Sequence, residues 1–360
     1  MRLPKPNNII TEKYVVGMSV FKNRLAKIKL SANESALGPS PKAKKEYIKV
    51  SKSFARYPDT NGTFLRETLS KKFKIDKNRI ILGSGSDQIF ELICKAYLKK
   101  GDEVIVPKYS FIIYRIYSKM NGAKVIYSNE NNFTVSVKDI LKKVTTKTKV
   151  VFLANPNNPT GTYVAKKDLL FLRKKLRSNI LLVVDDAYFE YVKQKNYSSA
   201  LKLFSNFKNV VMTRTFSKIY GLAGLRVGWG YGSKEIIDTL NKIKPPFNVN
   251  KAALFAASAA VKDSAWLNKE IKHVNNWNKK MFNEFKRMKI ETNRSYSNFL
   301  LVNFDKAKIN SSRVFKLLAK AGILVRKMDV YGIKNSLRIT IGKSEENRKL
   351  ISKMKRILNV

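Results

Sequence analysis

The stretch TFSKIYGLAGLR, residues 215–226, holds a lysine whose surroundings could make it reactive. Lys218 follows the apolar run NVVMT, which predicts a buried strand, and Arg226 lies eight residues further along the chain. Partial loss of hydration and a nearby cation both lower the pKa of an amine. Some of that amine is then unprotonated near neutral pH and can act as a nucleophile or a base. Taken alone, the stretch is much more typical of an ordinary solvated lysine.

Two further motifs place polar side chains after apolar runs. DDAY (185–188) follows ILLVV, and NPNNPTG (155–161) follows KVVFLA. Because successive strand residues face opposite ways, we expect one of the two aspartates to point along a crevice, while the other turns to solvent or caps the next segment. A carboxylate in a crevice needs a cationic partner, and a protonated heterocyclic nitrogen would serve. Tyr188 adds a phenol and Asn158 an amide.

A phosphate-binding site is predicted at GSGSDQ (83–88), a glycine turn between an apolar run and an amphipathic helix. The free N–H groups of Ser86 and Asp87 and the positive end of the helix dipole would face one point. The motif is neither a Walker A loop nor GxGxxG, and by itself it is a weak signal. Together with an amine, an acid, an amide and a phenol, it provides the parts needed to hold pyridoxal 5'-phosphate.

These motifs need a sheet that brings the ends of several strands to one edge. Short β-branched runs alternate with helical patterns between residues 79 and 232. Such alternation predicts an α/β fold with a mostly parallel central sheet flanked by helices, and functional residues at the carboxyl ends of its strands. After residue 247 long amphipathic helices and two apolar runs predict a smaller α+β domain. We expect an N-terminal segment (1–44) that packs with this small domain (248–360), and a large cofactor-binding domain (45–247).

Basic residues far outnumber acidic ones. The 72 lysines and arginines stand against 26 aspartates and glutamates, for a formal net charge of +46. They are spread evenly, without long runs of like charge, which is more typical of a solvated surface than of a nucleic-acid groove. A nucleic-acid-binding protein is the alternative from a different functional class. The positive field also favours anionic small-molecule substrates.

One cysteine, Cys94, and one histidine, His273, limit the possible chemistry. Neither a disulfide nor a cysteine-based metal cluster can form within the chain, and His273 has no acid, cysteine or serine partner at useful spacing, so no metal site is expected. The first ten residues, MRLPKPNNII, lack the apolar stretch of a signal peptide. The apolar run at 252–261 is too short for a bilayer, which needs about 20 residues. We therefore expect a cytoplasmic protein.

The motifs and their order resemble the fold-type-I pyridoxal-phosphate aminotransferases, and among them the enzymes that act on histidinol phosphate. The resemblance runs nearly from end to end and includes YVVG (14–17), KLSANESALGPSPKA (29–43), RYPD (56–59), GSGSDQ, NPNNPTGT, DDAY, TFSKIYGLAGLRVGW, PPFNVN (245–250), GILVR (322–326) and LRITIG with EEN (337–347). Two positions depart from the common pattern, Asp186 in place of glutamate and Ala36 in place of proline. Neither carries a role that the resemblance assigns.

The resemblance implies a set of cofactor-binding residues. Lys218 would form the Schiff base and carry the proton, and Asp185 would pair with the pyridinium nitrogen. Asn158 and Tyr188 would hold the ring hydroxyl group. Tyr109 would stack on the ring, unless it is an ordinary core residue. The phosphate ligands would be Ser86, Asp87, Ser217 and Arg226, with Tyr57 of RYPD reaching across from the second subunit of a homodimer.

The resemblance also implies substrate-binding residues and a reaction. Arg338 would grip a carboxylate, Arg326 with Tyr14 would take the substrate's phosphate unless Arg326 pairs with Asp329, and Asn33 would contribute to the same site. The expected exchange is L-histidinol phosphate plus 2-oxoglutarate with imidazole-acetol phosphate plus L-glutamate. An aromatic-amino-acid aminotransferase and a threonine-phosphate decarboxylase are alternatives on the same scaffold.

Overall fold

The computed structural model describes residues 14–15, 17–21 and 24–359. Residues 1–13 of the expected N-terminal segment, with the stretch MRLPKPNNII, and Val16 of the YVVG motif lie outside the described residues. The helices are α1 (Pro41–Ser51), α2 (Thr63–Phe73), α3 (Ser86–Tyr97), α4 (Ile113–Met120), α5 (Val137–Lys142), α6 (Lys166–Lys175), α7 (Ala200–Phe204), α8 (Lys234–Ile243), α9 (Lys251–Lys262), α10 (Ser264–Arg287), α11 (Ser311–Lys320) and α12 (Ser344–Leu358). The strands are β1 (Val20–Phe21), β2 (Arg24–Leu25), β3 (Ile28–Lys29), β4 (Ile80–Gly83), β5 (Glu103–Pro107), β6 (Lys124–Ser128), β7 (Glu130–Asn131), β8 (Thr134–Val135), β9 (Thr148–Ala154), β10 (Leu181–Asp185), β11 (Val210–Thr215), β12 (Gly228–Tyr231), β13 (Glu291–Thr292), β14 (Phe299–Asn303), β15 (Ile323–Leu324), β16 (Arg326–Lys327) and β17 (Ser336–Thr340).

A seven-stranded sheet lies at the centre of the chain, in the order β4-β12-β11-β10-β9-β5-β6. Neighbouring strands are parallel except at β12, which runs antiparallel to both β11 and β4. Every residue of β4, β5, β10, β11 and β12 is buried, as is usual for a sheet that is covered on both faces. The predicted α/β class with a mostly parallel central sheet is confirmed.

Helices cover the two faces of this sheet. Along β10, Leu182 and Val184 belong to one hydrophobic core, and Leu181 and Val183 to another, because alternate side chains of a strand point to opposite faces. The first core includes apolar side chains of α6 and α9, and the second includes those of α3, α4 and α8. The sheet is therefore buried between two layers of helices.

The register of the sheet places three motifs side by side. Ala154 of β9 pairs with Asp185 of β10, and Asp185 pairs with Thr213 of β11. The loops that leave these strands carry NPNNPTG, DDAY and the segment that contains Lys218. Parallel strands present their carboxyl ends at one edge, so the three motifs meet there.

A four-stranded antiparallel sheet, β13-β14-β17-β16, lies near the carboxyl terminus together with α10, α11 and α12. Strand β3 pairs in parallel with β15, which ties residues 28–29 to this part of the chain. Helix α9 packs against α1 and α2. The division at residues 44 and 247 stays a prediction. Within the described ranges, no helix is both long enough and apolar enough to cross a membrane.

Candidate active site

A cavity of about 380 Å³ opens at the edge where β9, β10 and β11 end. Residues 31–34, the start of α3 and strands β16 and β17 close its other sides. The residues around it include most of those predicted from the sequence: Tyr14, Asn33, Ser86, Asp87, Asn158, Asp185, Tyr188, Ser217, Lys218, Arg226, Arg326 and Arg338. The fold thus brings together side chains from the whole length of the chain.

Lys218 faces this cavity from the loop after β11. Its Nζ donates a hydrogen bond to the backbone oxygen of Ala32 at 3.2 Å. Burial lowers the pKa of Lys218 to about 8, and the positive charge of Arg338 adds to that effect. The sequence pattern singled out Arg226 as the nearby cation, but Arg338 contributes more to the lowered pKa and Arg226 less.

A close backbone contact joins the turn after Lys218 to the loop that contains Ala32. A Cβ atom on Gly221 would lie 2.3 Å from the carbonyl carbon of Gly38, and Gly221 has a φ of +69°. Only glycine fits both conditions, so the turn after Lys218 packs directly on the loop after residue 31.

Asp185 lies at the end of β10 with 5% of its surface exposed. Its Oδ2 accepts a hydrogen bond from the Tyr114 hydroxyl group at 2.7 Å, and its Oδ1 accepts one from the Thr213 hydroxyl group at 3.1 Å. Burial raises the pKa of Asp185 to about 6, although both hydrogen bonds act in the opposite direction. A nearby cation would complete the environment of this carboxylate.

The second aspartate of DDAY does not turn to solvent. Asp186 is buried, and its Oδ2 accepts a hydrogen bond from the backbone N–H of Ala200 at 2.9 Å, at the start of α7. The same oxygen lies 3.9 Å from Nη2 of Arg214. Of the two alternatives that the sequence left open, the capping position is the one observed.

A cradle for an anion lies where α3 begins. The guanidinium of Arg226 contacts Oδ2 of Asp87 at 3.2 Å, and its Nη1 donates to the Ser217 hydroxyl group at 3.2 Å. A Cβ atom on Gly85 would lie 2.3 Å from Nη2 of Arg226, and one on Gly228 would lie 2.3 Å from the backbone N of Ser86. The two glycines thus let the guanidinium of Arg226 and the strand β12 pack closely against the first turn of the helix, where free N–H groups can bind an anion.

Asn158, Tyr188 and Asn33 form a buried polar layer along one wall. The side-chain amide of Asn33 donates to the hydroxyl oxygen of Tyr188 at 3.0 Å. The backbone N–H of Asn33 donates to the Thr340 hydroxyl group at 2.9 Å, which connects this wall to β17. Burial raises the pKa of Tyr188, so its phenol stays protonated and can donate a hydrogen bond.

Two buried arginines reach the cavity from the four-stranded sheet. Arg338 donates to the side-chain oxygen of Asn158 and, from Nη2, to the backbone oxygen of Ser31 at 3.2 Å. Its Nε is buried without a hydrogen-bond partner among the described residues. Arg326 donates to the backbone oxygen of Val15, and burial lowers its pKa. Asp329 forms its ion pair with Lys327, at 3.0 Å.

The aromatic residues differ in part from the expectation. Tyr109 is not among the residues that line the cavity, and its ring packs against Phe133 with the centroids 5.7 Å apart. Phe111, two positions further along, lines the cavity instead and meets the ring of Tyr14 edge to face at 6.4 Å. Because the loop after β5 turns between the two residues, their side chains separate. Phe111 is thus the aromatic residue of this loop that lines the cavity, and Tyr109 as a ring-stacking residue stays a prediction.

Tyr57 lies outside the cavity. It is 81% exposed and stacks on Phe247 with the ring centroids 4.6 Å apart. Its expected contribution to a second subunit's site stays a prediction.

The comparisons with known proteins agree with this geometry. A family model described as aminotransferase class I and II matches residues 26–354. The chain belongs to this family. A curated histidinol-phosphate aminotransferase from Pelagibacter ubique is 52% identical to this aminotransferase over 360 residues, which cover 100% of both chains. A second one, from Rhodopseudomonas palustris, is 40% identical over 351 residues, 97% of this chain and 96% of that one.

A solved structure supports the fold of this aminotransferase. It is described as histidinol-phosphate aminotransferase from Sinorhizobium meliloti in complex with pyridoxal-5'-phosphate, with a TM-score of 0.87 and 22% sequence identity over 93% of this chain and 92% of that chain. The fold class and the family that the sequence motifs indicated are confirmed.

Sequence reasoning missed several residues that shape the site of this aminotransferase. Tyr114 and Thr213 hold Asp185, while Phe111, Glu34 and Tyr331 line the cavity. Thr213 stands directly opposite Asp185 in the sheet, so a correct strand register would have found it. The other residues carry no motif of their own, and only the packing of distant segments reveals them.

Proposed function

We propose that this aminotransferase exchanges an amino group between L-histidinol phosphate and 2-oxoglutarate, with pyridoxal phosphate as its cofactor. The observation that carries the proposal is one cavity in which a lysine with a depressed pKa, a buried carboxylate, an anion cradle and two buried arginines converge. The names of the two curated relatives support the choice of substrate. Both substrates are anionic, which suits the buried arginines Arg326 and Arg338 in the lining of the cavity.

The residues present fit pyridoxal phosphate. A phosphate group would contact Arg226, Ser217 and the first N–H groups of α3, which lie together at the start of that helix. Asp87 already holds the guanidinium of Arg226, so its own contribution to an anion is the backbone N–H. Asp185 would face the ring nitrogen.

Around the ring, Asn158 and Tyr188 would hold the ring oxygen. Phe111, which lines the cavity where Tyr109 does not, would stack on the ring. When bound, pyridoxal phosphate supplies an electron-withdrawing ring that stabilises negative charge at the substrate's α-carbon.

Lys218 has two roles in this proposal. Its Nζ would bind the cofactor covalently in the resting enzyme, and the same nitrogen, once released, would remove the proton from the substrate's α-carbon. A depressed pKa suits both roles, because each needs the unprotonated amine. Asp185, as a carboxylate, would keep the proton on the ring nitrogen, and the buried phenol of Tyr188 would donate to the ring oxygen.

Arg338 and Arg326 would orient the substrates. Arg338 would bind the carboxylate of glutamate, since a guanidinium binds a carboxylate through two parallel hydrogen bonds. Arg326 would bind the phosphate of histidinol phosphate at the outer end of the cavity, beside Tyr14. Histidinol phosphate has no carboxylate, so the two substrates would place their anionic groups differently in one cavity.

Assembly and location belong to the proposal as well. We propose a cytoplasmic homodimer in which Tyr57 reaches the partner's cofactor phosphate. The exposed aromatic side chains of Phe54, Tyr57 and Phe247 support a protein interface on this surface, because monomeric proteins rarely expose clustered aromatic rings.

An aromatic-amino-acid aminotransferase is the second candidate. Tyr14, Phe111 and Tyr331 line the cavity and would accept a benzene ring as readily as an imidazole ring. Arg326 favours the phosphorylated substrate, because an apolar ring would leave a buried guanidinium unpaired.

A substrate panel tests the assignment. Purified protein is assayed with histidinol phosphate, phenylalanine and threonine phosphate, each with 2-oxoglutarate, and kcat/KM is compared. Histidinol phosphate should give the highest value. A preference for phenylalanine of more than about tenfold would show that the second candidate is correct. Release of carbon dioxide from threonine phosphate would identify the decarboxylase alternative.

A further inference from the structure

Tyr114 lies behind the cavity, on α4, and its side chain is completely buried. Its hydroxyl group donates to Oδ2 of Asp185 at 2.7 Å, while the Thr213 hydroxyl group donates to Oδ1 at 3.1 Å. Each oxygen of the Asp185 carboxylate therefore has one donor from the protein. Two donors on opposite oxygens determine the plane of the carboxyl group.

The ring of Tyr114 is fixed by aromatic neighbours. It stacks on Phe152 of β9 with the centroids 5.0 Å apart and the planes within 2° of parallel. The rings of Phe90 and Phe111 meet it edge to face at 5.0 Å and 5.7 Å. Close packing on three sides leaves the ring no second position, so the direction of its hydroxyl group is set by the core.

The hydrogen bond also acts on the charge of Asp185. A donor to a carboxylate favours its ionised form, and burial favours the neutral form. The phenol can serve only as a donor here, since burial and the neighbouring carboxylate raise the pKa of Tyr114 well above its usual value. Tyr114 thereby counteracts part of the cost of keeping a charge at the end of β10.

We propose that Tyr114 is a positioning residue that holds Asp185 as an oriented, ionised carboxylate for the ring nitrogen of the cofactor. The inference rests on the proposed function, because that proposal assigns the ring nitrogen to Asp185. Tyr114 lies outside the lining of the cavity. Through Asp185 it would control how tightly the cofactor is bound and how the cofactor ring is protonated. Tyr114 itself touches neither the cofactor nor the substrate.

The test is Tyr114→Phe in the full chain, which keeps the ring and removes only the hydroxyl group. Titration of the apo-protein with pyridoxal phosphate should give a Kd about tenfold higher, the size expected for a lost hydrogen bond to a charged group. The pH at which the bound chromophore changes its absorbance should shift by about half a unit or more, and kcat should fall about tenfold with KM for the amino donor changed less than about threefold.

Tyr191→Phe is the matched control. It also removes a buried phenol hydroxyl group, but the Tyr191 oxygen has no hydrogen-bond partner among the described residues. Its Kd for pyridoxal phosphate and its absorbance transition should stay within about twofold and about 0.2 pH unit of the unaltered protein, which is the scatter expected for an independent site. Thermal unfolding of both apo-variants checks that each is folded.

A double-mutant cycle decides whether Tyr114 acts through Asp185. In an Asp185→Asn background, Tyr114→Phe should change the Kd for pyridoxal phosphate by less than about twofold, because asparagine lacks the carboxylate charge that Tyr114 stabilises. An equal loss of affinity in both backgrounds overturns the inference, as does an unchanged Kd with an unchanged absorbance transition in Tyr114→Phe. If the unaltered protein binds no pyridoxal phosphate, the proposed function fails and this inference fails with it.

Discussion

Arg338 donates a hydrogen bond from Nη1 to the side-chain oxygen of Asn158. The two residues come from β17 and from the loop after β9, and both are buried beside the cavity. The group proposed to bind a carboxylate is therefore positioned by the group proposed to bind the cofactor ring. A substitution of Asn158 should therefore also weaken the binding of a carboxylate by Arg338.

Asn158→Ala tests this relationship. Loss of a hydrogen bond to a charged group costs about 1.5–3 kcal/mol, so KM for glutamate should rise about tenfold or more. The Kd for pyridoxal phosphate should rise in the same variant. Asn196→Ala is the control, because that asparagine accepts from the Tyr163 hydroxyl group away from the cavity. An unchanged KM for glutamate in Asn158→Ala would contradict the coupling.

The depressed pKa of Lys218 predicts how cofactor attachment depends on pH. The unprotonated amine attacks the cofactor, so the rate of covalent attachment to the apo-protein should rise with pH with a midpoint near pH 8. For an ordinary lysine the midpoint would lie near pH 10.4. Stopped-flow absorbance over a pH series measures the midpoint, and Lys218→Ala should show no covalent attachment and no product after borohydride reduction.

Arg338→Gln tests how much the charge of Arg338 lowers the pKa of Lys218. Burial is the main cause of the low pKa of Lys218, and the charge of Arg338 is the next. Removal of that charge should move the midpoint to higher pH, yet leave it below the value for a free lysine. A midpoint that moves to lower pH would contradict the electrostatic argument.

Arg326→Gln should discriminate between substrates. Arginine binds phosphate through paired charge-assisted hydrogen bonds, so we expect kcat/KM for histidinol phosphate to fall about 100-fold and that for phenylalanine to change less than about threefold. Lys327→Gln serves as the control, because this neighbour pairs with Asp329 at the surface. Equal losses for both substrates in Arg326→Gln would remove the proposed phosphate contact.

Gly85→Ala tests the anion cradle. The new methyl group would lie 2.3 Å from Nη2 of Arg226, and the φ of +75° at this position is strained for alanine. The Kd for pyridoxal phosphate should rise at least about tenfold, because the guanidinium must move out of the cradle. Gly224→Ala, where a Cβ atom meets nothing within 4 Å, should bind the cofactor normally. Similar affinities for the two variants would rule out the cradle.

Local patterns were sufficient for the fold class and the family, and most of the site residues that they indicated line one cavity. Two of the short β-branched runs between residues 79 and 232, EVIVP (103–107) and KVIYS (124–128), form β5 and β6. Lys218, Asp185 and Arg226 stand directly after or beside such runs, where a parallel sheet must bring its strand ends together. These inferences succeed because burial and backbone freedom leave signals within a few residues of the side chain concerned.

The aromatic and supporting residues were decided by tertiary packing. Tyr109 and Phe111 differ by two positions in one loop, and only the path of that loop past β7 and β8 sends one ring to Phe133 and the other to the cavity. Tyr114 reaches Asp185 across 71 positions of the chain, and Ala32 reaches Lys218 across 186. Such contacts depend on how whole elements pack, and no local pattern of residue types records that packing.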